Sequence, residues 1–230
     1  MARAVLVEGL SGTGKTTAWR NIPAQNSMII TPNGKRLPFK GASKQYLPLD
    51  RNTGKGNVIT TNKLNDIPNW LSWINKASHI KYVLLDDFTH YFNARIMSKD
   101  FLNQNSGNAA FQKWNVFGSD VFNAIFAQLP NLREDLTIVV NHHVSLNDMG
   151  KYAFKSSGKL LENTIDPVSY FTYVLHSRIM KNDDKIEYKF QTNDDGIYEC
   201  KTPMGCFEEL YIDNDMKMVI DAIEKYENGD

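Results

Sequence analysis

The run Gly9-Leu10-Ser11-Gly12-Thr13-Gly14-Lys15-Thr16, followed by Thr17, fits the pattern Gly-x-x-x-x-Gly-Lys-Thr. These residue types at this spacing suit a chain of phosphates. Gly9, Gly12 and Gly14 let the backbone curl without side-chain clash. The N–H groups from Gly12 to Thr16 are then expected to point inward at a phosphate, with Ser11 and Thr13 in the same curl. Lys15 supplies a point charge for the two outer phosphates. The Thr16 hydroxyl suits a magnesium ion, and Thr17 the innermost phosphate. ATP and Mg2+ are therefore the expected ligands. The pattern requires a strand before it and a helix after it. Ala4 to Val7 is an apolar run that reads as a buried strand, and Lys15 to Asn21 reads as a helix stopped by Pro23.

Such a site needs a carboxylate from a neighbouring strand end to hold the metal through water. Tyr82-Val83-Leu84-Leu85 is an apolar run closed by Asp86-Asp87. Asp86 is the expected magnesium residue, and Asp87 a candidate to polarise the attacking water. The next apolar run, Leu136 to Val140, closes in Asn141-His142-His143. A polar group there would sense the outermost phosphate, with Asn141 or His142 as the candidate. A zinc site on His142 and His143 is not expected, because adjacent residues of an extended chain face opposite ways.

The remaining elements position these groups. Met28 to Ile30 and Val58 to Thr60 read as short strands, with a loop or hairpin between Thr31 and Asn57. Trp70, Trp73, Ile74 and Ala77 have helical spacing, and Phe111 to Leu129 reads as a helix ended by Pro130. Val144 to Thr164 reads as a loop. Tyr170 to Leu175 and Ile186 to Phe190 alternate like antiparallel strands, with a turn at Asp183-Asp184. Met216, Val219, Ile220 and Ile223 form the apolar stripe of a terminal helix. Strands alternating with helices predict an α/β fold of the P-loop type. Its sheet should be mostly parallel, flanked by helices, with antiparallel edge strands near the C-terminus. One domain over residues 1–230 is expected.

Composition excludes less. At 42% hydrophobic and 23% charged, the 230 residues have ordinary globular usage. With 26 basic and 26 acidic residues the net charge is zero, so any nucleic-acid surface must be a local patch. Cys200 and Cys206 fit no metal pattern and read as reduced thiols. No signal peptide and no membrane-spanning run is visible, and a cytoplasmic protein is expected.

The order of motifs narrows the class. The phosphate loop is followed by Leu84-Leu85-Asp86-Asp87-Phe88, Val140-Asn141-His142, Gly158-Lys159-Leu160-Leu161-Glu162 and Thr202-Pro203-Met204-Gly205-Cys206-Phe207. In this order the chain resembles a family of bacteriophage ATPases with a minimal RecA-like core, linked to single-strand annealing and homologous recombination. The resemblance spans most of the chain. It implies ATP hydrolysis, association with single-stranded DNA and assembly into a homo-oligomer, with a phage single-strand binding protein as a further candidate partner. Two departures from larger RecA proteins stand out. The chain begins almost at its first core strand, so no polymerising arm is expected. No acid lies within Asn57-Val58-Ile59-Thr60-Thr61-Asn62 to serve as base.

Lys151, Lys155 and Lys159 recur every four residues, with Tyr152 and Phe154 between the first two. Lysines offer phosphate contacts and aromatics offer stacking faces, so this stretch is the candidate DNA surface. In RecA-like proteins a cation from the late strands completes a neighbour's site. The matching region here is His176 to Asn182, with Lys181, and secondarily Arg178, as the candidate. Two other uses of a phosphate loop compete. A helicase-loader AAA ATPase normally carries a separate helical lid domain, and a nucleotide kinase an Arg-rich lid. The tail and the sparse arginines fit neither pattern well.

Overall fold

Short runs of β-branched and aliphatic residues build the frame. A computed structural model describes residues 1–104, 107–182 and 185–229. Its strands are β1 (Arg3–Glu8), β2 (Ser27–Thr31), β3 (Val58–Thr60), β4 (Tyr82–Leu85) and β5 (Thr137–His142), then β6 (Val144–Leu146), β7 (Tyr152–Phe154), β8 (Tyr173–Asn182), β9 (Lys185–Gln191) and β10 (Tyr211–Asp213). The helices are α1 (Ala42–Gln45), α2 (Ile67–Lys76), α3 (Phe88–Ile96), α4 (Lys99–Asn103), α5 (Ala109–Ala124), α6 (Lys159–Glu162) and α7 (Met216–Asn228).

Among the described residues, eight strands form one sheet in the order β10-β9-β8-β1-β5-β4-β2-β3. From β8 to β3 the neighbours are parallel. β9 and then β10 are added antiparallel at the β8 edge. Parallel strands must be covered on both sides, and the sequence alternates between two cores to do so. Leu6, Leu85, Ile138 and Val140 face one core with α2, α3 and α5, where Leu71, Phe92 and Phe117 are buried. Val5, Val7, Leu84 and Val139 face the other, against Trp19 and the α7 stripe of Val219, Ile220 and Ile223.

Several local expectations need correction. After the phosphate loop comes only a five-residue 3-10 stretch, Thr17–Asn21, not an α-helix from Lys15. Pro23 cannot continue a helix and biases Ile22 to extended backbone (ψ 131°), so no second turn can form. β8 starts at Tyr173 rather than Tyr170, which belongs to a 3-10 stretch, Pro167–Tyr170. It is parallel to β1, so in the eight-stranded sheet only β9 and β10 are added antiparallel. The stretch read as a loop, 144–164, contains the β6–β7 hairpin and α6. The turn expected at Asp183-Asp184 lies outside the described residues. No helix of the described residues is long and apolar enough to cross a membrane.

Candidate active site

The strand order gathers the site at the carboxyl ends of three adjacent strands. β1 delivers the phosphate loop, β4 delivers Asp86 and Asp87, and β5 between them delivers Asn141. A crevice outside the carboxyl ends of parallel strands is where open α/β sheets bind ligands. Here it is a cleft of about 780 Å³, bordered by Ser11, Gly12 and Gly14 through Thr17 on the loop side.

The loop is shaped by close approach. A Cβ on Gly9 would lie 2.8 Å from both the Ser177 carbonyl and Thr13 Oγ1. On Gly14 (φ 99°) it would lie 3.0 Å from Asn214 Oδ1 and 3.1 Å from the Tyr188 ring. A side chain at Gly9 would push the loop off β8, and one at Gly14 would crowd two neighbouring side chains at a backbone φ that favours glycine. Thr13 is buried and serves the loop itself: its hydroxyl donates to the Leu10 carbonyl (2.9 Å), and its own carbonyl accepts from Ser177 Oγ (2.6 Å). Lys15 Nζ donates to the carbonyls of Gly9 (2.6 Å) and Leu10 (2.8 Å). Burial lowers its pKa to about 8, against the opposing charges of Asp87, Asp86 and Glu8.

Thr16 Oγ1 donates to Asp86 Oδ1 (2.8 Å), and Asn141 Nδ2 donates to the same oxygen (3.0 Å). Burial pushes Asp86 above the usual carboxylate range, and these two hydrogen bonds pull the other way. The hydroxyl and carboxylate that a magnesium ion would use are thus already in contact. Together they fit an ion held by one or two protein oxygens, phosphate and water. Asn141 Oδ1 is buried and has no hydrogen-bond partner among the described residues.

Asp87 has a left-handed backbone (φ 60°, ψ 53°), unique among the described non-glycine residues. Asp tolerates this region better than most residues, and such strain gathers at functional sites. The turn lets Phe88 enter the core while the carboxylate meets His90 Nε2 (2.8 Å) and His143 Nε2 (3.2 Å). Burial would raise the Asp87 pKa, but the His143 hydrogen bond and the charges of His90, His143 and Lys15 outweigh it and leave it low. Asp87 is therefore an ionised acceptor, suited to orienting a water rather than to taking its proton.

Asn141 borders the cleft and His142 does not. The His142 ring is fully buried on the other face, stacked on Phe154 at 3.5 Å between centroids. Its nitrogens meet Thr89 Oγ1 (3.2 Å) and the Lys155 carbonyl (3.0 Å), and burial lowers its pKa to about 3. The residue sharing the Asn141 face is His143, which borders the cleft and holds Asp87. Alternation along an extended chain pairs residue 141 with 143, and that was the available signal. No local pattern in the sequence marks Glu8. It lies buried at the end of β1, in register with His142 and His176, and neither carboxylate oxygen is hydrogen-bonded among the described residues. Burial, then the charge of Glu199, raises its pKa well above the carboxylate range.

The remaining candidates lie apart from the cleft. Arg178 is spent within its own chain: it donates to Gln191 Oε1 (2.7 Å) and the Tyr211 hydroxyl (3.0 Å), and stacks on Tyr198 at 4.0 Å. Lys181 is exposed near the far end of β8. Lys151 pairs with Asp194, and Lys159 with Asp148 (2.8 Å). Tyr152 stacks on Tyr198 (5.1 Å) and Phe154 on His142, so both aromatic faces are occupied internally. Lys155 is exposed, and no side-chain partner meets its ammonium among the described residues.

No protein-family model matches the chain, and no curated protein sequence matches it. Among solved structures it is similar to a KaiC-like protein from the hyperthermophilic archaeon Pyrococcus horikoshii OT3, at TM-score 0.44 and 11% identity, over 82% of this chain and 77% of that one. The class follows instead from the chain's own geometry. A phosphate loop on a central parallel strand, an acid two strands away and antiparallel strands at one edge define an α/β fold of the P-loop type with a mostly parallel sheet.

Proposed function

We propose that the chain binds ATP with magnesium in this cleft and hydrolyses it to ADP and phosphate. The observation that carries this reading is the 2.8 Å contact of Thr16 Oγ1 with Asp86 Oδ1, at the mouth of a loop that already holds Lys15 inward. Lys15 exchanges its two carbonyl partners for phosphate oxygens. The metal, when bound, neutralises charge developing on the outer phosphates. The Asp87 carboxylate and the Asn141 amide are the polar groups that border the cleft where an attacking water would be oriented. The cleft's size suits a nucleotide-sized ligand.

The finer reading is that this turnover serves work on single-stranded DNA in phage recombination, annealing or replication. It is supported by the order of sequence motifs and by the lysines around β7. Lys155 is the phosphate contact of choice, because Lys151 and Lys159 already have carboxylate partners. The test is magnesium-dependent ATP turnover by the purified chain, with and without single-stranded DNA. Turnover that rises with DNA is expected. Turnover indifferent to DNA, with no DNA binding at low salt, removes the DNA reading. No turnover in either condition removes the hydrolase reading.

A further inference from the structure

Three more cations border the phosphate cleft: Arg20, which donates to the Thr17 and Asn214 carbonyls and reaches Asp215 (4.0 Å), and then Lys35 and Arg36. β2 ends at Thr31, and Asn33, Lys35, Arg36 and Pro38 from the following loop line the same space as the phosphate loop. Because β2 lies beside β4, this loop arrives on the side of Asp86 and Asp87, where the outermost phosphate belongs.

The loop is held at both ends. Asn33 Oδ1 accepts from the Lys35 backbone N–H (3.1 Å) and the Thr31 hydroxyl (3.4 Å), and Gly34 turns the chain with φ 60°. Leu37 and Phe39 pack on the core that holds Trp19 and Ile22, and the Phe39 ring meets Tyr46 edge-on at 5.8 Å. The tip between these anchors presents Lys35 and Arg36, both exposed.

Matching hydrogen-bond and ion-pair partners in the cleft leaves Lys35 and Arg36 over. Asp86 is bonded by Thr16 and Asn141, Asp87 by His90 and His143, Asp213 by Lys189 (2.7 Å), and Asp215 by Asn21. Each acid bordering the cleft thus has its own partner. Neither the Lys35 nor the Arg36 side chain has a hydrogen-bond or ion-pair partner among the described residues. Two unpartnered cations on an anchored loop beside a phosphate cradle suit an anion, and a terminal phosphate carries the charge and the acceptor oxygens that a guanidinium and an ammonium recognise.

We infer that Lys35 and Arg36 clamp the terminal phosphate of the bound nucleotide from within the same chain, and so select triphosphate over diphosphate. This rests on the nucleotide reading of the cleft. It also makes the site electrostatically complete without a neighbour's cation.

The test titrates the full chain, with magnesium, against a non-hydrolysable ATP analogue, ADP and a short single-stranded oligonucleotide. The proteins are wild type, Lys35→Ala, Arg36→Ala, the double variant and Arg36→Lys. The double variant should lose at least roughly tenfold in analogue affinity, the equivalent of one charged hydrogen bond. Its ADP affinity should stay near wild type, which also reports an intact fold, and Arg36→Lys should keep part of the preference. An unchanged analogue-to-ADP ratio in the double variant overturns the clamp while leaving nucleotide binding in place. Weakened oligonucleotide binding with that ratio intact overturns it in favour of nucleic acid. A wild type that binds neither nucleotide overturns the clamp together with the reading it rests on.

Discussion

Lys15 rests its ammonium on two carbonyls of its own loop, and burial brings its pKa to about 8. Phosphates would restore the cation, so the protonated form is the one that binds. The sign follows: affinity is full below pH 8 and falls above it, by roughly tenfold per pH unit, because binding must then take up a proton. Nucleotide titrations from pH 7 to 9.5 should show this slope, and Lys15→Ala should bind weakly with none. A flat wild-type profile would place the lysine outside the phosphate contacts. The loop, Lys15 and Asp86 are legible in the sequence because their chemistry is local, fixed by glycine spacing and by a strand ending in acid. Lys35, Arg36 and Glu8 are not legible, because their surroundings come from distant segments. The Glu8 carboxylate owes its state to burial and to Glu199, which no local pattern connects to it.

At the scale of elements, the end of β5 divides two jobs between adjacent residues. Asn141 serves the cleft, while His142 closes the core between Thr89 and the β6–β7 hairpin. A histidine held near pKa 3 in the fold and near 6.5 when unfolded stabilises fully above about pH 6.5. That stability drains as pH falls toward 3, because the unfolded chain takes the proton first. Thermal melts should therefore show wild type losing stability from pH 6.5 to 4 more steeply than His142→Gln. Parallel slopes would mean the ring is not the source. The hairpin itself is hard to read from sequence. Its strands are three residues each, too short for alternation to show, although Gly150 signals the turn between them and Gly158 a turn after them. It is braced from afar, with the Phe154 N–H donating to Glu199 Oε2 (3.1 Å) and the Tyr152 ring on Tyr198. If the hairpin carries DNA, Lys155→Ala should reduce the salt slope of single-stranded binding by about 0.7, one phosphate's worth. A Lys151/Lys155/Lys159 triple alanine variant with wild-type affinity at every salt would move the DNA surface elsewhere.

For the whole molecule, the parallel order β8-β1-β5-β4-β2 determines which distant residues meet. It sets Asp86 beside Thr16 across 70 positions of sequence and brings the loop after β2 to the outer-phosphate side. Alternating strands and helices made the parallel sheet legible. The strand order was not, because several right-handed arrangements satisfy the same pattern. With Arg178 held in its own chain and Lys35 and Arg36 lining the cleft beside Lys15, turnover per chain should not depend on protein concentration, and Lys181→Ala should retain it. A steep rise with concentration, lost in Lys181→Ala, would show a neighbouring copy supplying the cation instead. The most direct test of the nucleotide site is the magnesium response of Asp86→Asn against wild type, read as ATP affinity and turnover with and without the metal. In wild type, magnesium should raise both. In Asp86→Asn, ATP should still bind through the backbone cradle, the gain from magnesium should vanish, and turnover should drop on the order of 10²-fold or more. A variant that responds to magnesium as wild type does would contradict the site.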